Sequence, residues 1–252
     1  NFTALYDAEN DVDNFFNSKI TYKGAHVTDR NLNGTNSLGW DQKILDLTAL
    51  NAGNSLIGNG ETGATVRIEN SGDGDHIFTF LNTFAVNIIE PILQVLTSVE
   101  DTSNNPITIN SPVPLRATVW YNLNFRNIGT DDATNTVITN TLPINVTLDE
   151  SSIVLPTGVT YTYNSGTRQL IFTIPDNLVL RNIDANDIRY QVTASDVCSD
   201  YTDACTNLLE NTITSSYGGV TSGENVSDQP GLIGINGCGL PTAGSMDLFV
   251  DT

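Results

Sequence analysis

The chain is a succession of short alternating runs broken by Gly, Asn and Asp. The clearest carries apolar residues at Leu115, Ala117, Val119, Tyr121, Leu123 and Phe125, with Arg116, Thr118, Asn122, Asn124 and Arg126 between them. A period of two sends one set to the buried face of a sheet and the other to solvent. Trp120 falls on the polar side, where a tryptophan covers a sheet edge, packs on a neighbouring module or binds sugar. The alternation returns at Leu170, Phe172 and Ile174, at Ile188, Tyr190, Val192 and Ala194, and at Ile213, Ser215 and Tyr217. Ile138 and Leu142 continue it beyond a turn at 129–132. An earlier run begins with Leu93, Val95 and Thr97, the opposite register through Gln94 and Leu96 being left open. Between 159–163 and 169–174, Asn164-Ser165-Gly166-Thr167 makes a hairpin connection, since Gly accepts a positive φ cheaply. About seven strands over roughly 130 residues predict an immunoglobulin-like sandwich.

Upstream, KITYKGAHV, WDQKILDL, ATVRIEN and HIFTFLNTFAVNII give four further strand-like runs,. Glu90-Pro91 marks a boundary, because proline removes a ladder donor and restricts the residue before it. A short helical turn is expected only over 44–50. The fold class is therefore all-β, built of antiparallel β-sandwiches. Residues 1–90 form a sandwich or the C-terminal half of one, 91–230 the immunoglobulin-like domain, and the Gly- and Pro-rich 231–252 a tail or the lead into a following module.

Charge narrows the function. Over 252 residues, 10 basic side chains stand against 29 acidic ones, a formal charge of −19. Such a surface repels phosphate backbones and anionic headgroups, which excludes nucleic acid and membrane surfaces as partners, and it attracts divalent cations. No apolar run approaches the roughly 20 residues of a membrane span. A polar start at Asn1 suggests an internal fragment, monomeric when isolated.

Catalytic motifs are missing from the sequence: no GxSxG, HExxH or phosphate-cradling glycine loop is present, and His26 and His76 lack a context for a triad. Hard-oxygen chemistry is better represented, since loops dense in Asp, Asn and Gly suit calcium. The alternating Asp7, Glu9, Asp11 and Asp13 lack the glycine and terminal glutamate of an EF-hand loop. The expected ligands are Asp73 and Asp75 around Gly74, with Asp41 approaching across the sheet, and, on loops of the second unit, Glu100, Asp101, Asp131 and Asp132, where an ion would stiffen a joint. Cys198 and Cys205 are close enough for a small disulfide in an oxidising compartment. Free thiols and a metal site are the alternatives, and Cys238 is left over.

The run YNLNFRNIGTDDATNTVITNTLP resembles a conserved repeat domain strung in tandem along bacterial surface proteins: a strand, Asn-x-Gly, a short polar turn, a second strand and Leu-Pro. IRYQVTASDVCSDYTDACTNLLENTITSSYGG resembles that domain's late strands, with Cys198 and Cys205 at its cysteine positions. LGWDQKILDL and GETGATVRIENSGDGDHIF resemble the end of a domain that often precedes such repeats. The closing CGLPTAGSMDLFVDT is similar to the very large adhesins of Flavobacterium-type bacteria, which include gliding-motility adhesins. The resemblance implies a non-catalytic stalk of a secreted cell-surface protein, exported by the type IX pathway. Its implied partners are neighbouring modules of the same chain, and a surface polysaccharide if the module binds carbohydrate.

Overall fold

The computed structural model describes residues 2–29, 34–58, 61–69, 76–204, 206–238 and 240–251. The chain divides into two compact units, Asn1–Thr83 and Phe84–Thr252.

Unit 1 holds a three-stranded sheet in the order β2-β1-β3, with β1 at Ile20–Tyr22, β2 at Ala25–His26 and β3 at Gln42–Ile44. Gly24, at φ +75°, makes the tight turn between the first two. Two strand expectations fail in this region. Residues 64–69 and 76–89, the latter running on into unit 2, take part in no strand pairing among the described residues, and Val66, Ile68, Phe78, Phe80, Leu81, Val86 and Ile88 are exposed. Alternation makes a segment competent for a sheet, but the strand exists only where an edge supplies its hydrogen-bond partners. Nor does 44–50 form a helix; β3 ends at Ile44 and turns follow.

Unit 2 is a sandwich. Its long sheet runs β17-β16-β4-β7-β12-β9, with β5 on the side of β4. The members are β4 (Leu93–Asp101), β5 (Pro106–Ile107), β7 (Thr118–Asn127), β9 (Val146–Val154), β12 (Asn186–Ala194), β16 (Leu232–Ile235) and β17 (Pro241–Ala243). The second sheet runs β10-β11-β8-β14-β15, from β8 (Ala133–Thr141), β10 (Thr160–Asn164), β11 (Gln169–Ile174), β14 (Thr212–Gly219) and β15 (Asn225–Pro230). A small third sheet places β18 (Leu248–Asp251) between β13 (Leu208–Leu209) and β6 (Pro112–Pro114). Most pairings are antiparallel, but β16 runs parallel to β4 and β18 parallel to β6.

The inward sets are those the pattern gives. Val119, Tyr121, Leu123 and Phe125 face the core, as do Leu170, Phe172 and Ile174, and Ile188, Tyr190, Val192 and Ala194. Leu93, Val95, Thr97 and Val99 are buried, which settles the register of β4. At the centre, Tyr121 and Tyr190 stack with centroids 5.9 Å apart, and Phe172 lies 6.1 Å from Tyr190. Burial raises the pKa of both phenols, so neither ionises in the folded state,. The hairpin at Asn164 closes in register, Asn164 opposite Gln169, with the Asn164 carboxamide oxygen accepting from Gly166 and Thr167.

Three features depart from expectation. Leu115 is exposed and Arg116 sits at φ +61°, so the alternating run enters the sheet only at Thr118. Residues 198–204 form a helix, α1 (Cys198–Ala204), where no helical turn was expected. Residues 231–252 were expected as a tail or the lead into a following module; within them β16 to β18 form, with Leu248 and Val250 wholly buried. Gly and Pro masked a segment whose few apolar residues sit at core positions.

The sheet edges are irregular. Pairing between β14 and β15 shifts register, Asp228 in β15 has φ +54°, and that strand ends in Pro230. β17 opens with Pro241, and β9 carries Asp149 and Glu150 where its ladder with β12 slips.

Candidate functional site

The outward face of the long sheet gathers the polar residues of β4, β7 and β12. Because Val119 and Tyr121 point inward, Trp120 must point out, between Glu100 on β4 and Gln191 on β12. The Arg189 guanidinium lies over the indole, 4.3 Å from its ring centroid, and donates to the Glu100 carboxylate at 2.7 Å and to Asn104. Farther along β7, Asn124 donates to Asp187 at 2.8 Å and Arg126 to the Gln94 carbonyl oxygen at 3.2 Å. Each cross-strand pair contributes roughly 0.2–1 kcal/mol, and the cation–π contact roughly 0.5–2 kcal/mol. The result is a surface of cross-strand polar pairs in which the guanidinium already covers one face of Trp120, with Arg189 Nε buried and without a hydrogen-bond acceptor.

At one end of the sandwich, the Asn-x-Gly turn is a structural clamp. Asn127 is buried: its oxygen accepts from Ile92 N at 3.1 Å and Gly129 N at 2.9 Å, and its Nδ2 donates to Asp131 O at 2.7 Å and Val179 O at 2.9 Å. Four bonds from one carboxamide tie β4, the 129–132 turn and the 179 loop together. Gly129 is obligatory, because a Cβ there would stand 2.3 Å from Glu90 O and 2.4 Å from Ile92 N.

Asp131 completes the clamp. Its buried carboxylate accepts from Thr221 N at 2.8 Å, Ser222 N at 2.7 Å and Asp132 N at 3.0 Å. Burial alone would raise its pKa, but the hydrogen bonds from Ser222 and Thr221 outweigh it and hold the carboxyl at about 2,. Asp132 accepts from Arg181 N at 2.9 Å, with the guanidinium nearby. This donor set does not fit a calcium ion: the carboxylate oxygens face N–H groups and a guanidinium, whereas calcium requires converging oxygen lone pairs. Glu100 and Asp101 lie at the opposite end of β4, where Asp101 pairs with Val119; Glu100 is engaged by Arg189, and Asp101 accepts from Ser103 N, Asn105 N and Asn105 Nδ2.

In unit 1, Asp41 Oδ1 accepts from Asn17 N and Lys19 N, both at 3.1 Å, and pairs with Lys43 Nζ at 2.9 Å. Asp7 Oδ1 caps its own turn, taking Glu9 N, Asn10 N and Asn10 Nδ2. Trp40 is exposed and stacks with Phe80, centroids 5.7 Å apart. The expected ligands Asp73 and Asp75 lie outside the described residues, as does Cys205 and the side chain of Cys198, while Cys238 is free and exposed. Among the described residues, no three His, Cys, Asp or Glu side chains converge on a common point. No helix among them is long and apolar enough to cross a membrane.

Arg189, Asn127 and the Lys43–Asn17 contact went unrecognised in the sequence. Each joins residues far apart in the chain, and only strand register brings them together.

No family model and no curated protein sequence matches the chain. Solved structures share general features with it. The full-length major pilin SpaD of Corynebacterium diphtheriae aligns at 13% identity and TM-score 0.37 over 54% of this chain, which spans 33% of the pilin. A cohesin–dockerin complex from Clostridium thermocellum aligns at 13% identity and TM-score 0.39, covering 67% of this chain and 100% of the matched one. The C-terminal domain of the Streptococcus pyogenes antigen I/II-family protein AspA aligns at 11% identity and TM-score 0.36, over 62% and 46%.

Proposed function

We propose that this chain is a non-catalytic, load-bearing spacer of a bacterial cell-surface adhesin. The observation that carries the reading is the direction of the late strands of unit 2. Phe249, Val250 and Asp251 of β18 lie beside Pro112, Val113 and Pro114 of β6 in parallel register. A pull on the carboxyl end directed along a parallel strand loads its contacts together, whereas an antiparallel hairpin pulled from its open end yields one bond at a time. The buried clamp at Asn127 and Asp131 and the continuous core add support. The sequence resemblance to tandem repeats of bacterial surface proteins agrees with this role, and extends it to adhesion and gliding in a type IX-exported filament whose partners are the adjoining modules.

Force spectroscopy on the chain held by its two ends tests the proposal. Phe249 N donates to Ser111 O at 3.0 Å. Phe249→Pro removes that donor, and the unfolding force of unit 2 should fall by more than its thermal midpoint does in proportion. Equal unfolding forces for the two proteins would remove the mechanical role. A second reading, polysaccharide binding, rests on the exposed stack of Trp40 and Phe80. Glycan binding that disappears in Trp40→Ala would favour it.

A further inference from the structure

Among the described residues of unit 1, no apolar side chain is buried. Among the described residues, the buried side chains there are Asn10 and Thr21, both polar. Small scaffolds without a core ordinarily depend on a covalent or metal staple. The place where one would act is the Lys43 side chain, which is 6% exposed, beside the 15% exposed side chain of Asp41. Lys43 Nζ lies 2.7 Å from Asn17 Oδ1, 2.9 Å from Asp41 Oδ1 and 3.1 Å from Lys19 O. On its other side the Asn17 carboxamide donates from Nδ2 to Glu9 O at 2.8 Å, which fixes its plane. An amine, a carboxamide and a carboxylate are thus held together, shielded from water, by residues 26 apart in the chain.

We propose that Lys43 and Asn17 become joined by an isopeptide bond, with Asp41 carrying the protons. Asp41 takes a proton from the Lys43 ammonium, which it contacts at 2.9 Å. The neutral Nζ then attacks Asn17 Cγ, one bond beyond the oxygen it already touches. A bond forms between Nζ and Cγ, the bond between Cγ and Nδ2 breaks, and Asp41 returns its proton to the departing nitrogen. The Lys43 ammonium and the Asn17 carboxamide give one secondary amide and one ammonium ion; nothing is oxidised or reduced. Holding the groups in contact supplies the effective concentration that aminolysis of an amide otherwise lacks. The product links β3 to the segment before β1 and closes a loop that the unfolded chain would otherwise explore.

Mass spectrometry of the purified full chain, reduced beforehand so that cysteine oxidation contributes nothing, tests the inference. The intact protein should be lighter than its sequence by one ammonia. Trypsin should fail to cut after Lys43 and should yield a branched peptide joining the fragment that ends at Lys19 to the fragment spanning 31–67. Lys43→Arg and Asp41→Asn should each keep the full mass of their own sequences. A wild-type mass equal to that of the sequence, with cleavage after Lys43, overturns the bond and leaves a plain ion pair. A branched peptide that persists undiminished in Asp41→Asn overturns the role of Asp41.

Discussion

Replacing Asp131 by Asn tests the clamp of unit 2 quantitatively. The folded state holds this carboxyl at about 2, against an ordinary 3.8. At about 1.4 kcal/mol per pH unit, the ionised form contributes about 2.5 kcal/mol of stability. The sign follows from the direction: a carboxyl lowered on folding stabilises above its unfolded pKa, and the contribution fades as pH falls through the folded value. The full amount is present above about pH 5, and about 1.2 kcal/mol of it is gone by pH 3. Asn keeps the shape and one oxygen but turns an NH₂ toward the Thr221 and Ser222 amides, which adds a loss that does not vary with pH. Urea unfolding of both proteins at fixed ionic strength, from neutral pH down to pH 3, separates the two parts. Subtracting one protein from the other removes the other carboxylates. The wild-type advantage should shrink by about 1.2 kcal/mol over that range. An advantage that stays constant with pH would show that the carboxylate is not held by these amides, and the argument for the clamp would fail.

Other expectations follow from the same unit. Gly129→Ala should lower stability by about 2–3 kcal/mol through overpacking against Glu90 and Ile92, seen as a lower urea midpoint at unchanged slope; a change below about 0.5 kcal/mol would contradict the close approach. Phe172→Ala should cost about 3–5 kcal/mol by emptying the centre of the sandwich beside Tyr190, measured the same way, and a near-neutral result would mean that the core is not packed there.

The sandwich was legible in the sequence because its central strands are buried on one face only. Val119 to Phe125 and Ile188 to Ala194 announce their own orientation through a period of two, and the Asn164 hairpin forms where its turn residues stand, although the positive φ falls on Arg168, at +57°, and not on Gly166. The segments 64–69 and 76–89 were not legible, because Ala64, Val66 and Ile68, and Phe84, Val86 and Ile88, alternate and yet find no edge among the described residues. Alternation reports competence for a sheet, whereas pairing depends on what else is present. The Asn127-Ile128-Gly129 turn stood out as a motif, but its cause did not: Gly129 is required by the backbone at Glu90, some forty residues earlier. Asp131 and Asp132 suggested a cation because adjacent carboxylates resemble ligands, and the donors opposite them, Thr221, Ser222 and Arg181, lie far along the chain.

The irregular edges of unit 2 bear on crowding. In the proposed role, a module repeated along a filament, and a filament repeated over a cell, would put many identical sheets within reach of one another. A straight open strand would then recruit its copies edge to edge, and the assembly would seize into fibres. Pro230 and Pro241 withhold amide donors, Asp228 turns its strand out of line, and Asp149 with Glu150 adds charge at the slipped ladder of β9. Such borders would let modules in that role stand shoulder to shoulder without fusing, so that their density would be limited by space rather than by self-association.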